Sequence, residues 1–318
     1  MILILSDRFD HSTNQVINWL KRPFIRINEE NFVSEISFDM SSYKSKNGKI
    51  YFNSIALNLK DIQSFWYRRG NFIIRIEEVI YSNKPILMQL QKEWEIMALF
   101  LYFCLKEKRI IGDFKKAHEH NKLIDLLVAS EVGLDIPQTI ISNRKNDMHN
   151  FIENNKSVIT KAINEMFEIE TKSHFQSIGT KLIDDSFLNR LSKTSFPTLL
   201  QRNISKLFEL RIVFMANKFY AMAIFSQKNE ISKTDYRDGH KLKTNRNIPY
   251  LLPSDISKRL KQLMEKLDLD TGSIDMIVTP KGEYVFLEVN PIGQFDWVSH
   301  NCNYYLEEKI ANYLQNES

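Results

Sequence analysis

The strongest constraint on the fold lies near the C-terminus, where residues 273–290 read SIDMIVTPKGEYVFLEVN, two apolar runs around Pro280-Lys281-Gly282. Short runs rich in β-branched and aromatic residues, broken by turn formers, specify an antiparallel hairpin. With the turn centred between Lys281 and Gly282, Asp275 falls directly opposite Glu288. Side chains alternate along a strand, so Asn290 joins Glu288 on one face while Met276, Leu287 and Val289 turn to the other. Burying an unpartnered carboxylate costs several kcal/mol, roughly, and two facing acids repel each other. Two carboxylates and an amide oxygen are hard donors of the kind Mg²⁺ accepts beside phosphates and water. Solvent at a sheet edge, or a nearby arginine, is the simpler alternative, and the hairpin alone leaves both open.

The chain has 318 residues, 43% of them apolar, enough to bury a sizeable core and to form two or three domains. Its 43 basic and 39 acidic residues are interspersed and sum to +4, which argues against a nucleic-acid partner. Cys104 and Cys302 are too few for a disulfide framework and read as free thiols in a reducing, cytoplasmic compartment. The opening MILILSD has no basic n-region and reads as a strand, not a signal peptide. The longest apolar stretch, IMALFLYFCL, is about half of the ~20 residues a membrane span needs, so none is expected.

Patterning predicts a strand at 2–5, then a helix in STNQVINWLKR with Ser12 as its N-cap. KIYFNSIALNLKDI predicts a hairpin about Asn53 and Ser54, SFWYRRG a strand, and residues 85–108 a long helix. A boundary falls near 112, because the stretch that follows reads as strand, loop, helix, Gly133, Pro137 and strand, a fresh βαβ start. SVITKAI is a short strand carrying Lys161, and TLLQRNI is another. LFELRIVFMANKFYAMAIFSQ alternates about Ala216-Asn217-Lys218 and predicts a second hairpin. A polar loop at 228–247, a helix at 254–268, the final hairpin and a helix at 303–315 complete the chain.

Asp275, followed by Glu288-Val289-Asn290-Pro291 and Gly293-Gln294-Phe295, resembles the metal-binding hairpin of ATP-grasp ligases. EVNPIGQFDW is similar to the peptide-modifying branch, the microviridin-type and graspetide ligases, above all the grasp-with-spasm ATP-grasp peptide maturases. The likeness covers nearly the whole chain: FWYRR, NKLIDLLVASEVGLDIPQTIIS, ELRIVF, AIFSQ, TDYRDG and TNRNIPY occur in family order. It implies an α/β (α+β) fold of ATP-grasp type, with an N-terminal α/β domain over 1–112. A central subdomain over 113–203 and a C-terminal subdomain over 204–318 would then sandwich ATP between antiparallel sheets.

The resemblance also implies roles. Asp275, Glu288 and Asn290 hold Mg²⁺, and Lys122 and Lys161 contact the ATP phosphates. A lysine among the apolar neighbours of VITKAI is unusual for solvated surface. LLQRNIS falls at the adenine hinge, with Gln201, Arg202 and Ile204; family members often have an acid where Arg202 stands, which leaves reading of the base to backbone atoms. Glu209 is implied at the ribose hydroxyls. Arg211, two residues on and on the same face, is implied as the clamp on the transferring phosphoryl group, its planar fork matching anionic oxygens. Arg237 and Arg246 add anion contacts, although a loop arginine is more often solvated than functional. There is no Gly-rich phosphate loop; residues 164–180 stand where many ATP-grasp enzymes have one. No residue is an obvious general base, Asp235 being the one weak candidate.

A carboxylate is a poor electrophile, and converting it to an acyl phosphate with ATP makes it reactive. The resemblance implies that Asp or Glu side chains of a ribosomal precursor peptide are activated in this way and joined to Ser/Thr hydroxyls as esters or to Lys amines as amides. The implied partners are a precursor with a leader segment and a second copy of the chain in a homodimer. Trp66, Tyr67, Arg68 and Arg69 would belong to such a surface, or, as is commoner for a Trp-Tyr pair in a strand, to the core. The alternatives are a free-standing ligase of amino acids or short peptides, a non-catalytic nucleotide- or peptide-binding relative, and a structural protein whose acids form an ionised strand ladder.

Overall fold

A computed structural model of the chain describes residues 1–40, 48–53, 55–75, 83–164, 167–170, 175–184, 186–192, 195–226 and 245–316. Asp235 and Arg237 lie outside the described residues. The chain divides into two compact units, one of Met1–Glu119, Leu269–Gly272 and Pro291–Ser318, the other of His120–Asp268 and Ser273–Asn290. The first unit thus runs past 112, and it takes in 291–318, which the resemblance assigns to a C-terminal subdomain.

The first unit opens with β1 (Ile2–Leu5), α1 (His11–Ile17), β2 (Phe24–Ile27), β3 (Phe32–Phe38), β4 (Gly48–Phe52) and β5 (Ile55–Asn58). It continues through β6 (Ser64–Tyr67), β7 (Ile73–Ile74), α2 (Lys84–Leu105), β8 (Arg109–Ile111) and α3 (Phe114–His118). Four strands form a sheet in the order β2-β1-β6-β8, all parallel. This explains the unbroken ILIL of β1, because a strand covered on both faces needs no polar alternation. A second sheet runs β5-β4-β3-β7, and Asn53, with φ of 49°, supplies the left-handed residue its hairpin requires. Phe65 and Tyr67 pack into one core with Phe52, Phe72, Leu101 and Leu105, and Trp66 is only 2% exposed, so the FWY of FWYRR is interior.

Two expectations fail here. The N-cap of α1 is Asp10, whose Oδ1 accepts from the Thr13 amide at 2.7 Å; Ser12 is already inside the helix. Asp and Ser are comparable caps, and the aspartate came first. The βαβ start near 112 does not form either, because β8 pairs with β6 in the first unit while the next strand belongs to an antiparallel sheet in the second. Gly112, at φ 75°, closes β8: a Cβ there would meet the Tyr67 carbonyl oxygen at 2.3 Å.

The second unit comprises α4 (Lys122–Glu131), β9 (Thr139–Ser142), α5 (Lys145–Glu153), β10 (Val158–Thr160), β11 (Phe167–Glu170) and β12 (Phe175–Ile178). After β13 (Lys181–Leu182), α6 (Phe187–Arg190) and β14 (Thr198–Arg202) come the long strands β15 (Phe208–Met215) and β16 (Lys218–Phe225). β17 (Arg246–Tyr250), α7 (Ser254–Lys266), β18 (Thr271–Val278) and β19 (Tyr284–Asn290) follow. One sheet runs β13-β10-β14-β9, another β17-β16-β15-β18-β19, and β11 pairs with β12. β15 and β16 turn on Ala216 and Asn217, both at positive φ, as a two-residue hairpin turn demands.

In the last hairpin Asp275 does pair with Glu288, and Ser273 with Asn290. The route differs from the expected one. Val278 pairs with Tyr284, so the turn centres on Lys281, and a register shift after Asp275 compensates by leaving Leu287 as the extra residue of a β-bulge. Leu287 consequently lines the same cleft as Glu288, as does Met276, instead of turning away.

The chain returns to the first unit as α8 (Asp296–Cys302) and α9 (Leu306–Gln315), two helices where one was expected, separated by left-handed Asn303 and Tyr305. The Ser64 hydroxyl donates to the Leu314 carbonyl at 2.6 Å, and the Arg22 amide to Gln315 Oε1 at 3.0 Å. Among the described residues no helix is long and apolar enough to cross a membrane.

Candidate active site

Within the second unit one cleft is lined by Lys161, just beyond β10; Gln201, Arg202 and Ile204, at the end of β14; Glu209 of β15; and Asp275 and Glu288 of the last hairpin. Seven residues singled out from sequence thus converge. Two more reach the cleft's acids from the side. Arg211 Nη1 donates to both oxygens of Asp275, at 3.0 and 2.9 Å, with each side chain about 10% exposed. Lys122, at the start of α4, places Nζ 3.3 Å from Glu288 Oε2. Asn290 is exposed at the end of β19, and Arg246 opens β17.

The facing carboxylates are therefore each matched by their own side-chain cation, and the arginine alternative holds for Asp275. A buried pair of this kind gains Coulomb energy about equal to its desolvation cost, so its net stabilisation is small, while removing one partner is expensive. The donor set fits Mg²⁺, which is commonly held by one or two carboxylates with the remaining positions left to phosphates and water. Among the described residues no group of three or more His, Cys, Asp or Glu gathers in one place, so the site offers two carboxylates and an amide, not a closed cage.

Glu209 is 6% exposed and fully engaged: Lys206 Nζ donates to Oε1 and the Ser226 hydroxyl to Oε2, both at 2.6 Å. Sequence reasoning missed Lys206, which stands three residues before Glu209: that spacing signals a pair on a helix, whereas a continuous strand would put the two on opposite faces. Gln201 is 1% exposed and donates to Thr139 Oγ1 at 2.9 Å, which ties β14 to β9. The amides of Arg202 and Asn203 donate to Gln138 and Ser157 carbonyls at 2.8 and 3.0 Å.

Two further features were not foreseen. Asp125 of α4 is 1% exposed, and His120 Nε2 lies 3.2 Å from its Oδ2. Burial raises its pKa from 3.8 to about 7; a hydrogen bond from the Val289 amide opposes that rise, the Glu288 charge adds to it, and Lys122 opposes it. An aspartate one turn into an apolar helix was the only signal. In the first unit, Arg68 of FWYRR is 3% exposed and donates to the Gly293 carbonyl at 3.1 Å and to Gln294 Oε1 at 2.7 Å. Its Nε stands 3.5 Å from Asp10, so two motifs far apart in sequence form one buried cluster.

A parallel N-terminal sheet, two antiparallel sheets and an acid-bearing last hairpin define the ATP-grasp fold, in the form found in graspetide-type peptide ligases. The chain is similar to the Chryseobacterium gregarium RiPP-associated ATP-grasp ligase in complex with ADP and a leader and core peptide, at 25% identity and a TM-score of 0.83, covering 99% of this chain and 95% of that one. It is similar to the macrocyclase MdnC of Microcystis aeruginosa, bound with precursor peptide MdnA, at 28% identity and a TM-score of 0.80 over 99% of both chains. The D-alanyl-alanine synthetase A of Vibrio cholerae, at 12% identity and a TM-score of 0.56, shares the fold alone. No protein-family model and no curated protein sequence matches the chain.

Proposed function

We propose that the chain is an ATP-dependent peptide ligase that closes rings in a ribosomal precursor peptide. The observation that carries this reading is a cleft of the second unit where a lysine, a hinge segment and the Asp275–Glu288 pair meet. The two similar structures support it, since one holds ADP with a leader and core peptide and the other a precursor peptide.

In this reading the base lies against the backbone near Ile204 and the side chains of Gln201 and Arg202, with Glu209 toward the ribose. Lys161 and Lys122 bind phosphate oxygens, Lys122 exchanging Glu288 for a phosphate. Arg211 leaves one carboxylate for the oxygens of the transferring phosphoryl group, and Arg237 adds a second guanidinium. Asp275, Glu288 and Asn290 would hold Mg²⁺, which when bound supplies charge neutralisation at the phosphates. The substrate carboxylate attacks the γ-phosphorus, ADP leaves, and a Ser/Thr hydroxyl or Lys amine then displaces phosphate from the acyl phosphate. Catalysis of this kind is mostly positioning and electrostatics, which suits a cleft with no evident general base among the described residues.

Co-expression with its precursor peptide followed by mass analysis tests the proposal. Loss of one water per ring is expected, abolished by Asp275→Ala or Glu288→Ala. ADP release with free amino acids, and no change in the peptide, would instead make the chain a free-standing ligase.

A further inference from the structure

β19 is the outermost strand of its sheet, so the polar groups along its outer edge have no strand to pair with. That edge is covered by α4 and the loop after it. The Phe286 amide donates to the Asp135 carbonyl at 2.8 Å, and Asp135 forms a parallel bridge with Val285. Amides along a strand point alternately to its two edges, which would bring Glu288 outward next. The bulge at Leu287 shifts that alternation by one residue and turns the Val289 amide to the outer edge instead. There it donates to the buried carboxylate of Asp125.

The peptide held in this way is the one joining Glu288 to Val289, and Asn290 is the next residue. We infer that Asp125 is a positioning residue for the metal-binding strand: its carboxylate fixes the Glu288–Val289 peptide and so aims Glu288 and Asn290. The inference rests on the proposed role of those two residues. A carboxylate in the first turn of a helix also interacts favourably with the helix dipole, but that role is served as well in water. Complete burial at the edge of β19, beside His120, is not needed for it. Lys122, from the same turn of α4, reaches Glu288 itself, so one helix end holds both the side chain and the backbone of this residue. Partners behind metal ligands commonly change metal affinity by about 10- to 100-fold when removed.

The test compares wild type with Asp125→Ala, Asp125→Asn and Glu288→Gln, measuring hydrogen exchange of the Val289 amide in metal-free protein and calorimetric ADP affinity with and without Mg²⁺. Asp125→Ala is expected to speed Val289 exchange and to cut the Mg²⁺-dependent gain in ADP affinity about tenfold, leaving Mg²⁺-free affinity unchanged. Asp125→Asn, which keeps an acceptor oxygen, is expected to restore both. In the Glu288→Gln background Asp125→Ala should change the Mg²⁺ dependence no further. Where the alanine variant does not fold, Asp125→Leu preserves the volume and repeats the measurement. Unaltered Val289 exchange overturns the inference, as does equal loss of affinity with and without Mg²⁺. A wild-type chain whose ADP affinity ignores Mg²⁺ overturns the metal reading itself, and that failure is visible before any Asp125 variant is made.

Discussion

Two hairpins of one sheet use charge in opposite ways. β15–β16 pairs without interruption from Glu209 with Ile224 to Met215 with Lys218, and its buried Glu209 and Arg211 face apolar residues across the hairpin. β18–β19 sets acid against acid and breaks register beside that pair. In the first hairpin a regular ladder spaces charges so that each reaches sideways, Arg211 to Asp275 on the neighbouring strand. In the second, irregularity concentrates donors and turns a backbone amide outward. The regular hairpin delivers single charges, Glu209 and Arg211, at fixed places, and the bulged one gathers two acids at one place.

Deletions break this comparison most sharply. Removing Ile212 shifts every later side chain of β15 to the wrong face, and the chain is expected not to fold. Removing Leu287 only erases the bulge and keeps Asp275 opposite Glu288 and Ile274 opposite Val289, so circular dichroism should show a folded protein, with the Val289 amide still turned to the outer edge and still protected. Equal damage from the two deletions would show that the bulge is as structural as the ladder.

Next in size is the buried pair that links the hairpins. Arg211→Ala strands Asp275 without a cation and should cost about 3–5 kcal/mol in denaturant unfolding. Replacing both partners, Arg211→Met with Asp275→Leu, should recover most of that stability. Neither variant is expected to form product.

Asp125 gives a pH signature. Its folded pKa, raised by burial to about 7 from 3.8, means the folded state holds the proton more tightly than the unfolded chain. The resulting stabilisation is complete below about pH 4 and is lost as pH rises through 7. Wild type should therefore lose stability relative to Asp125→Asn across that window, by at most about 4 kcal/mol. A flat difference between pH 4 and 8 would contradict the raised pKa.

Legibility followed regularity. Alternation and turn chemistry made β15–β16 readable down to its Ala216-Asn217 turn, and β1 readable from one apolar run. The opposition of Asp275 and Glu288 was also readable, although by two offsetting departures, a turn centred on Lys281 instead of between Lys281 and Gly282, and a bulge. Asp125 and Arg68 were not readable. Each finds its partner through tertiary contact or a register slip, and neither leaves a period in the sequence. The resemblance in EVNPIGQFDW reached nucleotide chemistry that periodicity could not, yet said nothing of what holds the edge of β19.

The smallest expected change in stability is also the most discriminating. Lys122 pairs with Glu288 as Arg211 pairs with Asp275, but its side chain is 24% exposed. A partly solvated pair contributes at most about 1 kcal/mol, so Lys122→Ala should leave the unfolding midpoint nearly unchanged. If Lys122 serves the phosphates, ADP affinity should nonetheless fall by about tenfold or more, since a charge-assisted contact to an anion contributes well over 1 kcal/mol. The two cations over the facing acids would then separate by function: Arg211 is needed for the fold as well as the chemistry, and Lys122 for the chemistry alone. Unchanged ADP affinity in Lys122→Ala would remove Lys122 from the binding site.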